Sequence, residues 1–276
     1  MEIWEAVVLG VVEGITEFLP VSSTGHLTIT EKLLGLSVDD PAVTGFTAVI
    51  QVGAILAAVI YFARDIWRMI RGVALGLVSR EHRQHHDFRF GLYVGAGSMP
   101  IAIVGLLAQD LITGPLRSLW WVAAGLIGWS AYMVAGERLA TQKRGETEIT
   151  LRDALLIGLA QCVAFIPGVS RSGATISTGL MLGIDRVTAT RLSFFLGIPA
   201  LTAAGVYQLP EALSGTSVGV GALIVGTVVS FVVAYASIAW LLRFVAHHTL
   251  ISFVWYRLVL GAVILVALAT GALAAT

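Results

Sequence analysis

Six stretches of this 276-residue chain are apolar for long enough to cross a bilayer, near residues 41 to 63, 89 to 110, 117 to 136, 190 to 210, 217 to 242 and 253 to 274. About 20 apolar residues span the hydrocarbon, which offers no hydrogen bonds, so each stretch must be a helix. Two further apolar segments fail as simple spans. Residues 3 to 30 are broken by Pro20 and the run Ser22, Ser23, Thr24, Gly25, and residues 153 to 183 by Pro167, Gly168 and Gly173. These read as re-entrant helix hairpins. The expected fold is all-α: a polytopic membrane protein of six transmembrane helices plus two re-entrant hairpins, in one domain over residues 1–276. Irregular backbone at membrane depth survives only where protein or a water-filled cavity satisfies it, so both breaks are expected to line one cavity.

With 57% hydrophobic and 12% charged residues and a mean hydropathy of +0.88, the chain is no soluble domain, in which about a quarter of residues are charged. The formal net charge of zero argues against a nucleic-acid partner. Cys162, the single cysteine, reads as a buried structural thiol. The N-terminus lacks a basic segment and carries Glu2, Glu5, Glu13 and Glu17, so it is expected to stay in the mature protein rather than leave as a signal peptide.

Charge position sets orientation. Arg64, Arg68, Arg71, Arg80, Arg83 and Arg89 surround the first loop between full spans; Arg138, Lys143, Arg144 and Arg152 follow the third span; Arg186 and Arg191 precede the fourth; Arg243 ends the fifth. The opposite side has little beyond Lys32 and Arg117. The positive-inside rule makes the basic side cytoplasmic and puts both termini outside.

The two broken segments are copies of each other. A shift of 148 residues aligns Gly10 with Gly158, Glu13 with Gln161, Val21 with Val169, Ser22 with Ser170, Thr24 with Ser172 and Gly25 with Gly173, although the prolines miss by one position. Three spans separate the copies, an odd number, so the second enters the membrane from the other side. This predicts an inverted-topology repeat, about 1–140 and 150–276, with a site at the midplane where the tips face each other.

The tips carry the chemistry. An ionised side chain at the bilayer centre costs about 2.5 to 3.5 kcal/mol on insertion scales and is a functional candidate by default. Glu13 and Glu17, four residues apart, project from one helix face. Two carboxylates so close need a cation or a proton between them, which favours a site for a divalent cation, Mg²⁺ or Ca²⁺, completed by substrate oxygens. The plainer alternative is that they are protonated or face a wet vestibule. Ser22, Ser23, Thr24 and Gly25 open the next half-helix, where free amides and the dipole suit an anion, although a serine there is also an ordinary cap. His26, three residues past Ser23, reaches the same pocket as general base, proton donor or nucleophile. At the second tip Ser170, Arg171, Ser172 and Gly173 bring a guanidinium fork suited to phosphate oxygens; an ion pair with Glu13 or Glu17 for structure alone is the alternative.

Weaker features have bland readings. His82, His85 and His86 belong to an exposed polar loop, and Trp120 and Trp121 to an interfacial belt. Gly53, Gly95, Gly97 and Gly197 are expected to allow close helix packing.

EGITEFLPVSSTGH (residues 13 to 26), PGVSRSG (167 to 173) and RLSFFLGIP (191 to 199) together resemble the undecaprenyl-pyrophosphate phosphatase family, also called the bacitracin-resistance proteins. The likeness covers the whole chain in length and span order. It implies removal of the terminal phosphate of undecaprenyl pyrophosphate at the outer face of the bacterial inner membrane, recycling the carrier for cell-wall synthesis. It implies dependence on a divalent cation, with Glu13 and Glu17 as the acidic residues, Ser23 and His26 as the reactive pair, and Arg171, Ser170 and Thr175 in the phosphate pocket. The expected partners are this polyprenyl lipid and the surrounding membrane lipids, with a homodimer left open.

In the expected mechanism Ser23 attacks and His26 takes its proton, with His26 as direct nucleophile the variant. The rival reading is a lipid flippase or secondary transporter, which the inverted repeat alone would favour. A carrier, however, needs no nucleophile beside its charges.

Overall fold

The computed structural model describes residues 1–38, 40–107, 118–214 and 218–274. Arg117 and the expected span ends at 108–110 and 117 lie outside them. The described residues are helical with no strand. Six helices are long and apolar enough to cross a membrane: α3 (Pro41–Tyr61), α5 (His86–Leu107), α6 (Leu119–Leu139), α9 (Arg186–Ser214, apolar through Val206), α10 (Val220–His247) and α11 (Ile251–Ala269). Each coincides with one of the six expected spans. Local signals set their starts: Pro41 opens α3 with the Asp40 carboxylate accepting from the Ala42 amide at 2.8 Å, and Ser118 caps α6 through the Trp120 amide.

The two broken segments form four shorter helices, α1 (Ile3–Thr16), α2 (Ser23–Leu33), α7 (Leu151–Cys162) and α8 (Arg171–Met181). At about 1.5 Å per residue each is roughly 17–21 Å long, short of the roughly 30 Å hydrocarbon. The equivalence of the copies extends to their backbone. Ser22 and Ser170 adopt the left-handed region, with φ of 76° and 73°, and each caps its helix by accepting the amide three residues on, Gly25 or Gly173. A serine at positive φ is uncommon, so its occurrence at matched positions marks one strained turn used twice.

Each copy packs against spans of the other half. α1 lies along α10, where a Cβ on Gly10 would meet the Gly226 carbonyl oxygen at 2.6 Å. α7 lies along α5, where a Cβ on the matched Gly158 would collide with the Gly97 carbonyl oxygen. Gly53 is likewise pressed against Thr227 of α10, as expected of a packing glycine, but Gly95 has open space beside it, because it faces away from any neighbour. The core beneath the tips is aromatic. Phe18 stacks edge-on to Phe194 at 5.3 Å, Phe62 touches Phe194 and Phe195, and Phe90 meets Phe195 at 5.8 Å.

The basic connections gather on one side. Arg191 lies 3.2 Å from Asp65 and 3.5 Å from Glu146, Arg186 donates twice to Glu137, and Arg144 forks onto Asp153 and the Leu182 carbonyl. Burial alone would raise the Asp153 carboxyl. Hydrogen bonds from Arg144 and from the hydroxyl and amide of Thr150 outweigh it and hold the group below the usual carboxylate range. On the opposite side Lys32 donates to the Ala274 carbonyl at 3.0 Å.

The glycine contact at Gly158 generates a prediction. A methyl there must push α7 off α5, so Gly158→Ala should destabilise the protein by about 1–3 kcal/mol, read as a lower midpoint of thermal unfolding in detergent. Gly95→Ala, beside open space, should leave that midpoint unchanged.

Candidate active site where the two tips meet

α1 stops at Thr16, and a turn over residues 17 to 21 carries the chain to the strained Ser22. Glu13, in the last turn of α1, is completely buried, and neither of its carboxylate oxygens has a hydrogen-bond partner. Glu17 is buried as well, with both oxygens engaged. Oε2 accepts from the Ser23 hydroxyl at 2.6 Å, and Oε1 accepts from Arg171 Nη2 at 3.2 Å. Ser23 and Arg171 are the first residues of α2 and α8, and they stand at matched positions of the two copies. The two tips therefore converge on one carboxylate.

Two further bonds join the tips. The Ser22 hydroxyl accepts from the Gly168 amide at 3.1 Å, and the Ser172 hydroxyl donates to the Leu19 carbonyl at 2.9 Å. With its hydrogen so committed, Ser172 accepts from Ser170, 3.1 Å away. Thr175 is turned from the pocket toward its own support: it bonds the Arg171 carbonyl at 2.9 Å and the Ser193 hydroxyl at 2.6 Å. Thr24 is exposed and stands apart from these contacts, whereas Gly25 is buried against Val122 and Gly173 beside Met133.

His26 differs from expectation. Its Nδ1 lies 2.7 Å from the Ser22 carbonyl, which can only accept, so Nδ1 carries a hydrogen. In the neutral ring Nε2 then accepts from the Tyr256 hydroxyl, 2.6 Å away, and the two rings stack with centroids 5.6 Å apart. The Ser23 hydroxyl turns to Glu17, and no hydrogen bond joins it to His26 among the described residues. The cause is geometric: the i to i−4 bond to Ser22 aims the imidazole along α2 toward α11.

Three contributing residues, Arg257, Tyr256 and Ser193, escaped the sequence reading, and a fourth, Gly197, was read there only as a packing glycine. Arg257 of α11 is fully buried and donates to the carbonyls of Pro20 at 3.2 Å, Gly168 at 2.8 Å, Gly125 at 3.1 Å and Leu126 at 3.4 Å, and to the Ser130 hydroxyl. The signal was available, since an arginine inside an apolar span is a functional candidate. Tyr256 precedes it. Ser193 and Gly197 lie in the RLSFFLGIP stretch. The Ser193 carbonyl accepts from Arg171 Nη1, and a Cβ on Gly197 would collide with that same nitrogen. Gly197 is therefore a cradle for the guanidinium rather than a helix-packing glycine.

The donor set suits a hard divalent cation only in part. Among the described residues no group of three or more His, Cys, Asp or Glu side chains could hold a metal. Mg²⁺, however, takes one or two carboxylates and completes its shell with water and substrate phosphates. The orphaned oxygens of Glu13 are the observation that fits it, because a buried carboxylate without a partner is costly until a cation or proton satisfies it.

Arg257→Met would leave the Pro20 and Gly168 carbonyls without their donor, each costing about 1–3 kcal/mol where water cannot replace it, whereas Gly125 and Leu126 lie inside α6 and Leu126 also accepts from the Ser130 hydroxyl. The variant should lose about 2 kcal/mol of stability or more, and Arg257→Lys, which keeps the charge but not the fork, should lie between. Thermal unfolding of the purified proteins checks the order.

Comparison with known proteins covers the same residues. The family model for bacitracin resistance protein BacA matches residues 6–263. Undecaprenyl-diphosphatase 1 of Streptomyces avermitilis is 58% identical over 274 residues, 99% of this chain and 99% of the relative. Undecaprenyl-diphosphatase of Mycolicibacterium smegmatis is 49% identical over 275 residues, 98% of each chain. A match this complete, to relatives of the same length, makes the chain a member of the bacitracin resistance protein BacA family.

Proposed function

We propose that this multi-pass membrane protein hydrolyses undecaprenyl pyrophosphate to undecaprenyl phosphate and inorganic phosphate, recycling the lipid carrier of cell-wall synthesis. The observation that carries the reading is the chain Ser23–Glu17–Arg171, in which one buried carboxylate holds a hydroxyl from one tip and a guanidinium from the other. A carrier has use for the charges but none for a hydroxyl bonded to a carboxylate at 2.6 Å. The relatives' names point to the same substrate.

In the mechanism we favour, the pyrophosphate enters between the tips and Arg171 holds the oxygens of its terminal phosphate. Ser23 Oγ attacks that phosphorus, its proton passes to Glu17 Oε2, and the bond to the bridging oxygen breaks to release the lipid monophosphate. Glu17 gives that proton to the departing lipid phosphate, then takes one from the water that attacks the phosphoserine and returns it to Ser23 Oγ as the P–O bond breaks. The amides at the start of α8 would face charge that develops in flight, in a pocket whose wall Ser170 and Ser172 hold in place through their bonds to each other and to Leu19. Glu13, together with Glu17, is the place for Mg²⁺ or Ca²⁺, which when bound supplies neutralisation of phosphate charge. His26 stays engaged with Tyr256 until substrate arrives, which disfavours it as the nucleophile and leaves it as a second proton carrier at the rim.

The shortness of α1, α2, α7 and α8, the shared serine turn and the reciprocal glycine contacts support two re-entrant hairpins in an inverted repeat. With the basic side cytoplasmic, the site opens to the outer face of the bacterial inner membrane and both termini lie outside.

Purified protein supplied with Mg²⁺ should release phosphate from a C55 pyrophosphate in detergent; absence of release from folded, metal-supplied protein overturns the reading. Ser23→Ala and Arg171→Ala should each lower turnover by roughly 10²-fold or more. Gly197→Ala should do likewise without touching substrate, since about 1 Å of misplacement can cost about 10²-fold. Acid quenching during turnover should trap acid-stable phosphate on Ser23. Acid-labile phosphate on His26 would reverse the two roles.

A further inference from the structure

The helix that follows the first span serves neither crossing nor catalysis. This is α4 (Ala63–Val78), which begins one residue after α3 ends and lies on the side where Arg191, Arg186 and Arg144 gather. It presents three distinct faces. One packs on α5: a Cβ on Gly72 would meet Asp87, one on Gly76 would enter the Phe88 ring, and Gly91 abuts Met69 and Val73. A second is apolar and bare. Ala63, Trp67, Ile70, Ala74 and Leu77 recur at spacings of four and three, one stripe of a 3.6-residue helix, with Trp67 65%, Ile70 55% and Leu77 68% exposed, and Val78 beside it 83% exposed. The third holds Arg64, Arg68 and Arg71, each one residue after a stripe position, so the basic row runs along the edge of the apolar one.

Neither water nor the bilayer interior suits this arrangement. In water the stripe would leave a tryptophan and several aliphatic side chains solvated along the whole helix. Across the bilayer, 16 residues make only about 24 Å, and three arginines would lie at membrane depth. Lying in the plane of the interface satisfies both rows at once, with the stripe among acyl chains and the guanidiniums at headgroup level. Arg68 is bound to Asp65 and Asp87, but among the described residues no carboxylate lies within ion-pair distance of Arg64 or Arg71. Both are exposed on the edge that meets the headgroups. Two free guanidiniums beside an inserted stripe are complementary to phosphodiester headgroups of net negative charge.

We propose that α4 is an in-plane anchor that inserts its Ala63–Trp67–Ile70–Ala74–Leu77 stripe into one leaflet and collects anionic phospholipids through Arg64 and Arg71. The proposal rests on the chain being a membrane protein and is independent of the phosphatase reading.

The test uses the full chain in nanodiscs of phosphatidylcholine mixed with phosphatidylglycerol. In a Cys162→Ser background, a nitroxide at each position from 67 to 71 is probed with oxygen, which partitions into acyl chains, and with a water-soluble nickel relaxant. Oxygen accessibility should peak at 67 and 70 and nickel accessibility at 68 and 71, at one constant shallow depth. Nickel access at all five positions, or depth increasing steadily along the series, overturns the proposal. A stripe shielded from both relaxants in a dimeric particle also overturns it, in favour of a second copy as the occupant. Spin-labelled phosphatidylglycerol should be immobilised at least threefold more than spin-labelled phosphatidylcholine, and Arg64→Gln with Arg71→Gln should bring the ratio to unity while phosphate release in detergent is unchanged. A ratio unaffected by the double variant overturns the lipid assignment. Each labelled variant replaces at most one of Arg64 and Arg71, so the nitroxide scan decides the in-plane placement even where the double variant is not recovered.

Discussion

Arg257 holds together a structure that lipid alone would not tolerate. Breaking a helix where water is shut out frees carbonyls that only protein can satisfy, and the two breaks bring theirs, at Pro20 and Gly168, to the same buried guanidinium. Arginine suits the task because its planar fork carries five donors and stays charged. Lysine offers three donors on a point charge. The acceptors are carbonyls and a hydroxyl, so the charge is solvated by dipoles and no carboxylate is spent on it. Glu17 is thereby left to Ser23 and Arg171. A guanidinium held by neutral dipoles keeps its positive potential, and a site meant for pyrophosphate gains from that field.

The second constraint is one turn used twice. Both copies make the same turn, with a serine at positive φ capping a short helix, and both press a glycine against the opposite half. Once that geometry places the first residues of α2 and α8 opposite each other, changing their side chains builds a site without altering the fold. Position 23 carries the hydroxyl and position 171 the guanidinium, and Glu17 joins them. The RLSFFLGIP stretch completes the arrangement from α9: Phe194 and Phe195 support the tip from below, Ser193 accepts from Arg171, and Gly197 makes room for it.

Much of this was legible in the sequence because it rests on local rules. Hydropathy placed six spans, prolines and serine runs marked both breaks, and a shift of 148 residues related them. Glu17, Ser23 and Arg171 stood out because polar groups in an apolar chain are costly. What escaped depends on contacts across long stretches of chain. Arg257 was averaged away inside an apolar window, although its four carbonyl acceptors lie on three other segments. Gly197 looked like any helix glycine, since nothing near it in sequence shows that Arg171 fills the space beside it. The orientation of His26 turned on Tyr256, 230 residues away.

The buried polar groups without partners separate the two halves once more. Glu13 and Gln161 stand at matched positions, both are fully buried, and neither side chain has a hydrogen-bond partner. An unpartnered amide costs about 1–3 kcal/mol, which a protein can carry. An unpartnered carboxylate costs far more, so Glu13 demands a cation or a proton where Gln161 demands nothing. The matched backbone gives both halves the same buried position, and only the half that also contributes Ser23 places an acid there. That acid lies one helical turn before Glu17, the carboxylate already engaged by Ser23 and Arg171. The fold itself does not require an acid at position 13, because the glutamine in the other copy fills the matched buried position without one.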